Sequence, residues 1–196
     1  MLRIVGGNMG GRRIAAPHGK HTRPTSERVR EGIFNVLHTL LRLEGARVLD
    51  LFAGSGALGI EALSRGAAHA TLVESHGRTA GVIKTNLKRL GIDLQAARVV
   101  TVPVESWLAK TKPAAPFSLV LLDPPYDYSG HDRLLALLSG APAVSAGAVI
   151  VLETGRDRSP APPSSLDPIR TKRYGETQVS FFRKNPPDST RECALP

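Results

Sequence analysis

The sequence predicts an α/β protein: a doubly wound, mostly parallel sheet of seven strands with helices on both faces. Three stretches carry that prediction. Val48-Leu49-Asp50-Leu51 is a short apolar run ending in the glycine-rich turn Phe52-Ala53-Gly54-Ser55-Gly56, and Ala57 to Leu63 then reads as a helix. Strand, tight turn and helix open such a sheet, and ligands sit outside the carboxyl ends of its strands. Phe117 to Leu122 is apolar almost throughout, as expected of a strand buried on both faces of a parallel sheet. Ile169 to Arg173 and Thr177 to Phe182 flank Tyr174-Gly175-Glu176, the pattern of a closing antiparallel hairpin.

Along the chain, Arg3-Ile4-Val5 and Arg12-Arg13-Ile14-Ala15 are short strand candidates around the loop Gly6-Gly7-Asn8-Met9-Gly10-Gly11. A two-stranded hairpin is marginal alone, so residues 1–25 are expected to lean on the domain that follows. Pro24 restrains the approach to a helix that Thr25 or Ser26 can cap, and Val29, Ile33, Val36, Leu37, Leu40 and Leu41 carry helical spacing to about Leu43. Ala70 to Val73 is the second sheet strand, followed by Glu74 and a helix from about Arg78 to Leu90 that stops at Gly91. Ala97 to Val102 is the third, and Glu105 opens a short helix in which Trp107 reads as core. After the fourth strand, Asp132 to Leu138 reads as a helix and Ala148 to Glu153 as a strand. Residues 155–168 form a proline-rich loop. The main domain is expected over 26–184, and the polar, proline-rich residues 185–196 as a disordered tail.

Composition narrows the classes. With 196 residues, 41% of them hydrophobic, the chain can bury one core and carry a small appendage. No run approaches the roughly 18 apolar residues of a membrane span, and the N-terminus lacks the apolar stretch of a signal peptide. The single cysteine, Cys193, can form neither an internal disulfide nor a cysteine metal site, which fits a cytoplasmic protein. The net charge of +9 is uneven: residues 1–35 carry seven Lys/Arg against two acids, residues 156–184 seven against three, and those between eleven against ten. Basic flanks on a nearly neutral centre suit a polyanion, and Arg12, Arg13, Lys20, Arg23 and Arg28 are candidates to neutralise phosphates.

Two motifs bear on chemistry. Gly54-x-Gly56-x-x-Gly59 also spells the dinucleotide fingerprint, which leaves an NAD-dependent oxidoreductase open at this point. Asp50 stands where a carboxylate can accept hydrogen bonds from a ligand. Glu74, roughly 20 residues beyond the glycine turn, is placed to hold both ribose hydroxyls of a nucleotide-like ligand, the other reading being a cap on the helix that begins near Gly77. The second motif is Asp123-Pro124-Pro125-Tyr126, at the end of the fourth strand. Its prolines stop the strand and stiffen the loop. An oxidoreductase has no evident use for it. No metal cluster, Ser-His-Asp arrangement or phosphate loop ending in Gly-Lys-Ser/Thr is visible, and no metal is expected.

Together, Asp50 to Gly56, Glu74 and Asp123-Pro124-Pro125-Tyr126 resemble the S-adenosylmethionine-dependent amino-methyltransferases, which have a Rossmann-like class I fold. The opening Arg3-Ile4-Val5-Gly6-Gly7 and the run from Arg23 to Asn35 are similar to the bacterial family that methylates N2 of a guanine in 16S ribosomal RNA. The likeness spans about residues 1–184. It implies S-adenosylmethionine as cofactor, held by Thr25, Asp50, Phe52, Ala53, Gly54, Ser55, Gly56, Glu74, Ser75 and Asp123. Pro103-Val104 stands where such enzymes often carry a polar residue, so adenine contact would rest on the Val104 backbone. The N-terminal extension would grip RNA, with 16S ribosomal RNA or a 30S particle as partner and a monomer as the default.

A physical argument stands beside the resemblance. An exocyclic amine is a poor nucleophile because its lone pair is delocalised into the base. Asp123 can accept one of its N–H groups and the Pro124 carbonyl, held by the stiff Pro125 loop, the other. Tyr126 offers a stacking face to an extruded base. The motif by itself does not choose among guanine N2, adenine N6 and cytosine N4. An adenine-N6 methyltransferase on DNA or RNA, and a non-catalytic RNA-binding module, remain the other readings.

Overall fold

The computed structural model describes residues 1–17 and 26–186. Lys20, Arg23, Pro24 and Thr25, and the tail from residue 187 onward, lie outside the described residues. Strands β1 (Leu2–Arg3) and β2 (Arg13–Ile14) form the small N-terminal hairpin. Then follow α1 (Glu27–Leu40), β3 (Arg47–Leu51), α2 (Ala57–Ser64), β4 (His69–Val73), α3 (Gly77–Leu90), β5 (Ala97–Val100), α4 (Val104–Lys110), β6 (Phe117–Leu122), α5 (His131–Gly140), β7 (Val144–Gly155), β8 (Leu166–Tyr174) and β9 (Thr177–Lys184).

The main sheet has seven strands in the order β5-β4-β3-β6-β7-β9-β8. The pairs from β5 to β7 are parallel, and β9 joins β7 and β8 antiparallel. From β3 the chain winds outward to β4 and β5, then returns to place β6 on the other side of β3. That reversal opens a crevice at the carboxyl ends of β3 and β6. The expected doubly wound sheet is therefore the observed one.

Period-two alternation divides the core between the two faces. Val48, Leu119, Leu121, Val149, Val151, Val179 and Phe181 face α1, α2, α3 and the hairpin. Leu49, Leu51, Val120, Leu122, Ile150, Leu152 and Phe182 face α4 and α5, where Trp107 packs on Phe117 with ring centroids 6.0 Å apart. Among the described residues no helix is long and apolar enough to cross a membrane.

Local chemistry explains most element ends. Ser26 Oγ accepts the Val29 N–H at 3.2 Å and caps α1. α1 stops at Leu40, short of Leu43, because Leu41 is extended (φ −154°); Leu43 is instead buried from the connection to β3. Gly91 closes α3 in the left-handed region, φ +71°. β7 begins earlier than periodicity indicates and runs on to Gly155, and β8 begins earlier as well, so the proline-rich loop is shorter than expected. Pro168 is tolerated inside β8 because β8 is an edge strand with a bulge between Pro168 and Arg170.

The hairpin is built into the core. Ile4 and Ile14 are buried among α1 and α2 residues. Glu61 on α2, with no exposed surface, accepts the N–H groups of Val5 at 2.7 Å and Gly6 at 2.8 Å, and Nε of Arg65 at 2.9 Å. Ser64 Oγ donates to the Gly6 carbonyl at 2.6 Å and accepts the Met9 N–H at 2.9 Å. Gly7 (φ +76°) lies so close to the Ser64 carbonyl that a Cβ there would collide with it. Asn86 of α3, fully buried, accepts the Ala15 N–H and donates to the carbonyls of Ala15 and Ser55. One side chain thus ties the hairpin to the glycine turn after β3.

Candidate active site

Parallel strands end together, so β3, β4, β5 and β6 bring their C-terminal residues to one edge of the sheet. There the structure assembles Asp50 to Gly56, Glu74 and Ser75, Val104 at the start of α4, and Asp123 to Tyr126. The glycine turn is tightly wound: the Ala53 N–H donates to the Val73 carbonyl at 3.0 Å, and the Gly56 N–H to the Ala53 carbonyl at 2.7 Å. Gly54 and Gly56 have positive φ, as does Phe52 at +60°, a conformation side-chain-bearing residues rarely adopt. Such backbone strain clusters at ligand sites. Around Gly54 a Cβ would meet only the Phe52 carbonyl within 4 Å, which leaves the main chain open to close approach.

Glu74 is 8% exposed and closes this turn. One carboxylate oxygen accepts the Gly54 N–H at 3.0 Å and the other accepts the His76 N–H at 2.8 Å. Asp50 is more deeply set, with Oδ2 accepting the Gly59 N–H at 2.9 Å and fastening α2 to β3. A side chain on Gly59 would press on that carboxylate, so the third glycine of the fingerprint serves helix–strand packing.

Burial pushes the Asp50 carboxyl up to about 7; Asp123 and Glu74 nearby add to the rise and the Gly59 N–H opposes it. The folded protein therefore keeps a proton that the unfolded chain releases at about pH 4. Stability associated with this group is full below that range and is lost as pH rises toward 7. Asp50→Asn keeps an acceptor for Gly59 without the titration. Its denaturation midpoint should gain on the wild type's between about pH 4 and 7. A difference between the two proteins that does not change with pH would overturn this account.

Asp123 is half-buried and Pro124 buried, while Pro125 and Tyr126 are exposed, Tyr126 to 82%. The loop turns back at once, with the Tyr128 N–H on the Pro125 carbonyl at 2.9 Å. Tyr128 packs against Phe52 and His131 with ring centroids 5.2 Å away in each case, and its hydroxyl donates to Glu105 Oε1 at 2.9 Å. Arg158 Nη1 donates to the Tyr128 carbonyl at 2.9 Å. Tyr128 thereby joins the Asp-Pro-Pro-Tyr loop, the strained glycine turn and the first turn of α4. Sequence reasoning missed this residue, since a loop aromatic follows no period.

Asn86 and Glu61 did leave a signal. Each is a polar residue within the apolar face of its helix, in register with Ile83, Leu87 and Leu90 or with Leu58 and Ala62.

Not every candidate gathers here. Arg12 donates from both terminal nitrogens to the carbonyls of Leu90 and Arg89, at the C-terminus of α3. α3 starts at the site edge and runs about 20 Å away from it, so Arg12 lies at the opposite end of the sheet. Arg13, exposed on β2, belongs to the same hairpin. A cleft of about 670 Å³ lined by Phe34, His38, Glu44 and Arg65 also lies far from the strand ends that carry the motifs. Arg28 is exposed in the first turn of α1. Lys20, Arg23 and Thr25 are outside the described residues. Among the described residues no group of three or more His, Cys, Asp or Glu is placed to hold a metal.

The family described as conserved hypothetical protein 95 matches residues 2–183. YlbH of Bacillus subtilis is 35% identical over 93% of this chain and 99% of its own. The ribosomal RNA small subunit methyltransferase D of Escherichia coli strain K12 is 35% identical over 93% of this chain and 90% of its own. Among solved structures, yhhF from Escherichia coli superimposes with a TM-score of 0.81 at 35% identity, covering 94% of this chain and 98% of that one. The chain belongs to the conserved hypothetical protein 95 family and is a relative of the ribosomal RNA small subunit methyltransferase D proteins.

Proposed function

We propose that this protein transfers a methyl group from S-adenosylmethionine to the exocyclic N2 of a guanine in small-subunit ribosomal RNA, acting as a cytoplasmic monomer on the RNA or an assembling particle. The observation that carries this reading is the Asp123-Pro124-Pro125-Tyr126 loop beside the glycine turn of β3, at the crevice where the sheet reverses, in a chain of this family.

The residues present fit the cofactor. Gly54 offers open main chain, and the Glu74 carboxylate sits at the same turn, suited to ribose hydroxyls. Phe52, Ala53, Ser55, Gly56, Ser75 and the Val104 backbone complete the cradle, with Asp123 toward the reacting end. When bound, S-adenosylmethionine supplies an electrophilic methyl group. The protein's task is alignment and electrostatics. Asp123 accepts one N–H of the base amine and the Pro124 carbonyl the other, directing the nitrogen lone pair toward the methyl group. Tyr126, exposed at the rim, stacks on the extruded base and offsets part of the cost of unstacking it. In this reading residues 26–184 carry the transfer. Residues 1–25 and Arg28 add cations for RNA, with Arg13, Lys20 and Arg23 as phosphate partners and Arg12 contributing whatever its helix-capping bonds leave.

Methyl transfer from labelled S-adenosylmethionine to small-subunit ribosomal RNA, 30S particles and DNA, followed by nucleoside analysis, tests the proposal. Label is expected in N2-methylguanosine from RNA or particles. Label in N6-methyladenine would overturn the base assignment, and no label on any substrate with cofactor binding intact would favour a binding protein.

A further inference from the structure

We infer that the exposed edge strand β8, together with the first turn of α1, forms a cationic track that holds RNA backbone leading to the Tyr126 rim. This rests on the proposal of an RNA substrate made above. Among the described residues β8 pairs only with β9, and its outer edge borders no other strand. Arg170 pairs with Phe181, Lys172 with Val179 and Tyr174 with Thr177. Phe181 and Val179 point into the core beneath α1, so Arg170 and Lys172 stand on that same face, both exposed. Alternate residues of a strand are about 7 Å apart, which sets the two cations in a line ending at Tyr174.

Tyr174 packs against Gly32 of α1, and Arg28, one helical turn earlier, is close enough to act on the Tyr174 hydroxyl. The line therefore runs Arg170, Lys172, Arg28. It ends at the catalytic edge, because Tyr174, Thr177 and Gly155 are successive partners across β8, β9 and β7, and the Tyr126 ring approaches Gly155. Glu31, Glu176, Asp157 and Asp167 are exposed nearby, but Arg156, Arg158 and Arg173 more than balance the acids at the β8–β9 turn. From the described hairpin residues, Arg3 reaches the first turn of α1 but is paired with Glu27 at 2.8 Å, and Arg12 caps the far end of α3.

Charges on an edge strand also guard it against pairing with other chains, and two triple variants separate these roles. Arg28→Gln/Arg170→Gln/Lys172→Gln removes the cations. Arg28→Glu/Arg170→Glu/Lys172→Glu keeps a charged edge and suits the N-terminal turn of α1. Equilibrium binding of the full chain to naked small-subunit ribosomal RNA is measured against salt, with S-adenosylmethionine binding and melting temperature as fold controls.

Both variants should lose at least about tenfold in RNA affinity at 0.1 M salt. The glutamine variant's log–log salt slope should be shallower by about 2, at about 0.7 per phosphate contact on a single strand. Wild-type affinity in the glutamate variant, or no wild-type affinity for RNA, would overturn the track. A wild-type chain that binds RNA along this edge yet transfers no methyl group would overturn the proposed activity and leave the track standing.

Discussion

Asp123→Ala should lower methyl transfer at saturating cofactor and RNA by about 10²–10³-fold, as loss of one preorganised polar group at a reacting atom typically does. The reason is the nucleophile. An amine conjugated with a base attacks only when its N–H groups are held and its lone pair is turned toward the methyl group. In the proposed reaction the acceptor is the carboxyl group of Asp123, which is half-buried just after β6. Alanine leaves the Pro124 carbonyl alone to orient the amine. Salt-dependent RNA affinity, supplied by cations elsewhere, should stay within about twofold of wild type. Single-turnover transfer measured beside filter binding separates the two effects. A variant retaining half the wild-type rate would remove Asp123 from the mechanism.

The second large effect is on stability. Glu61→Ala should cost about 3 kcal/mol, because it strips the acceptor from two part-buried backbone N–H groups and from Arg65. For a domain of this size that is a fall in melting temperature of about 6–12 °C. The loss should concentrate in the hairpin: amides of Val5, Gly6, Asn8 and Met9, which all bond to α2, should exchange with solvent faster. Asn86 links the same hairpin to the Ser55 carbonyl, so cofactor affinity should fall as well. A melting temperature within about 2 °C of wild type would show that the hairpin docks by its apolar residues alone.

These effects fall on residues of two kinds, those readable from the chain and those visible only after folding. Asp123 announces itself, since an acid, two prolines and an aromatic at the end of an apolar run are costly to explain as packing alone. Glu74 is legible from its spacing after the glycine turn. Glu61 and Asn86 show only as polar interruptions of apolar helix faces, and their partners, 55 and 71 residues away, leave no local trace. Arg12 reads as a phosphate candidate from its charge, and only the fold shows that it also caps the end of α3. Arg170 and Lys172 read as one basic flank among others until the strand order puts them at an edge facing α1.

By itself the sequence determined the succession of strands and helices, the two strand-end loops and the closing hairpin. Those features follow from side-chain periodicity and from the backbone limits of glycine and proline, which act over a few neighbouring residues. Only the tertiary structure decided that the N-terminal hairpin is locked onto α2 and α3, that Asp50 is held above the usual carboxylate range, and that the basic edge of β8 leads to Tyr126. Each of those depends on which distant residues share a low-dielectric interior or a sheet edge. Packing of the whole chain sets that, and no local pattern carries it.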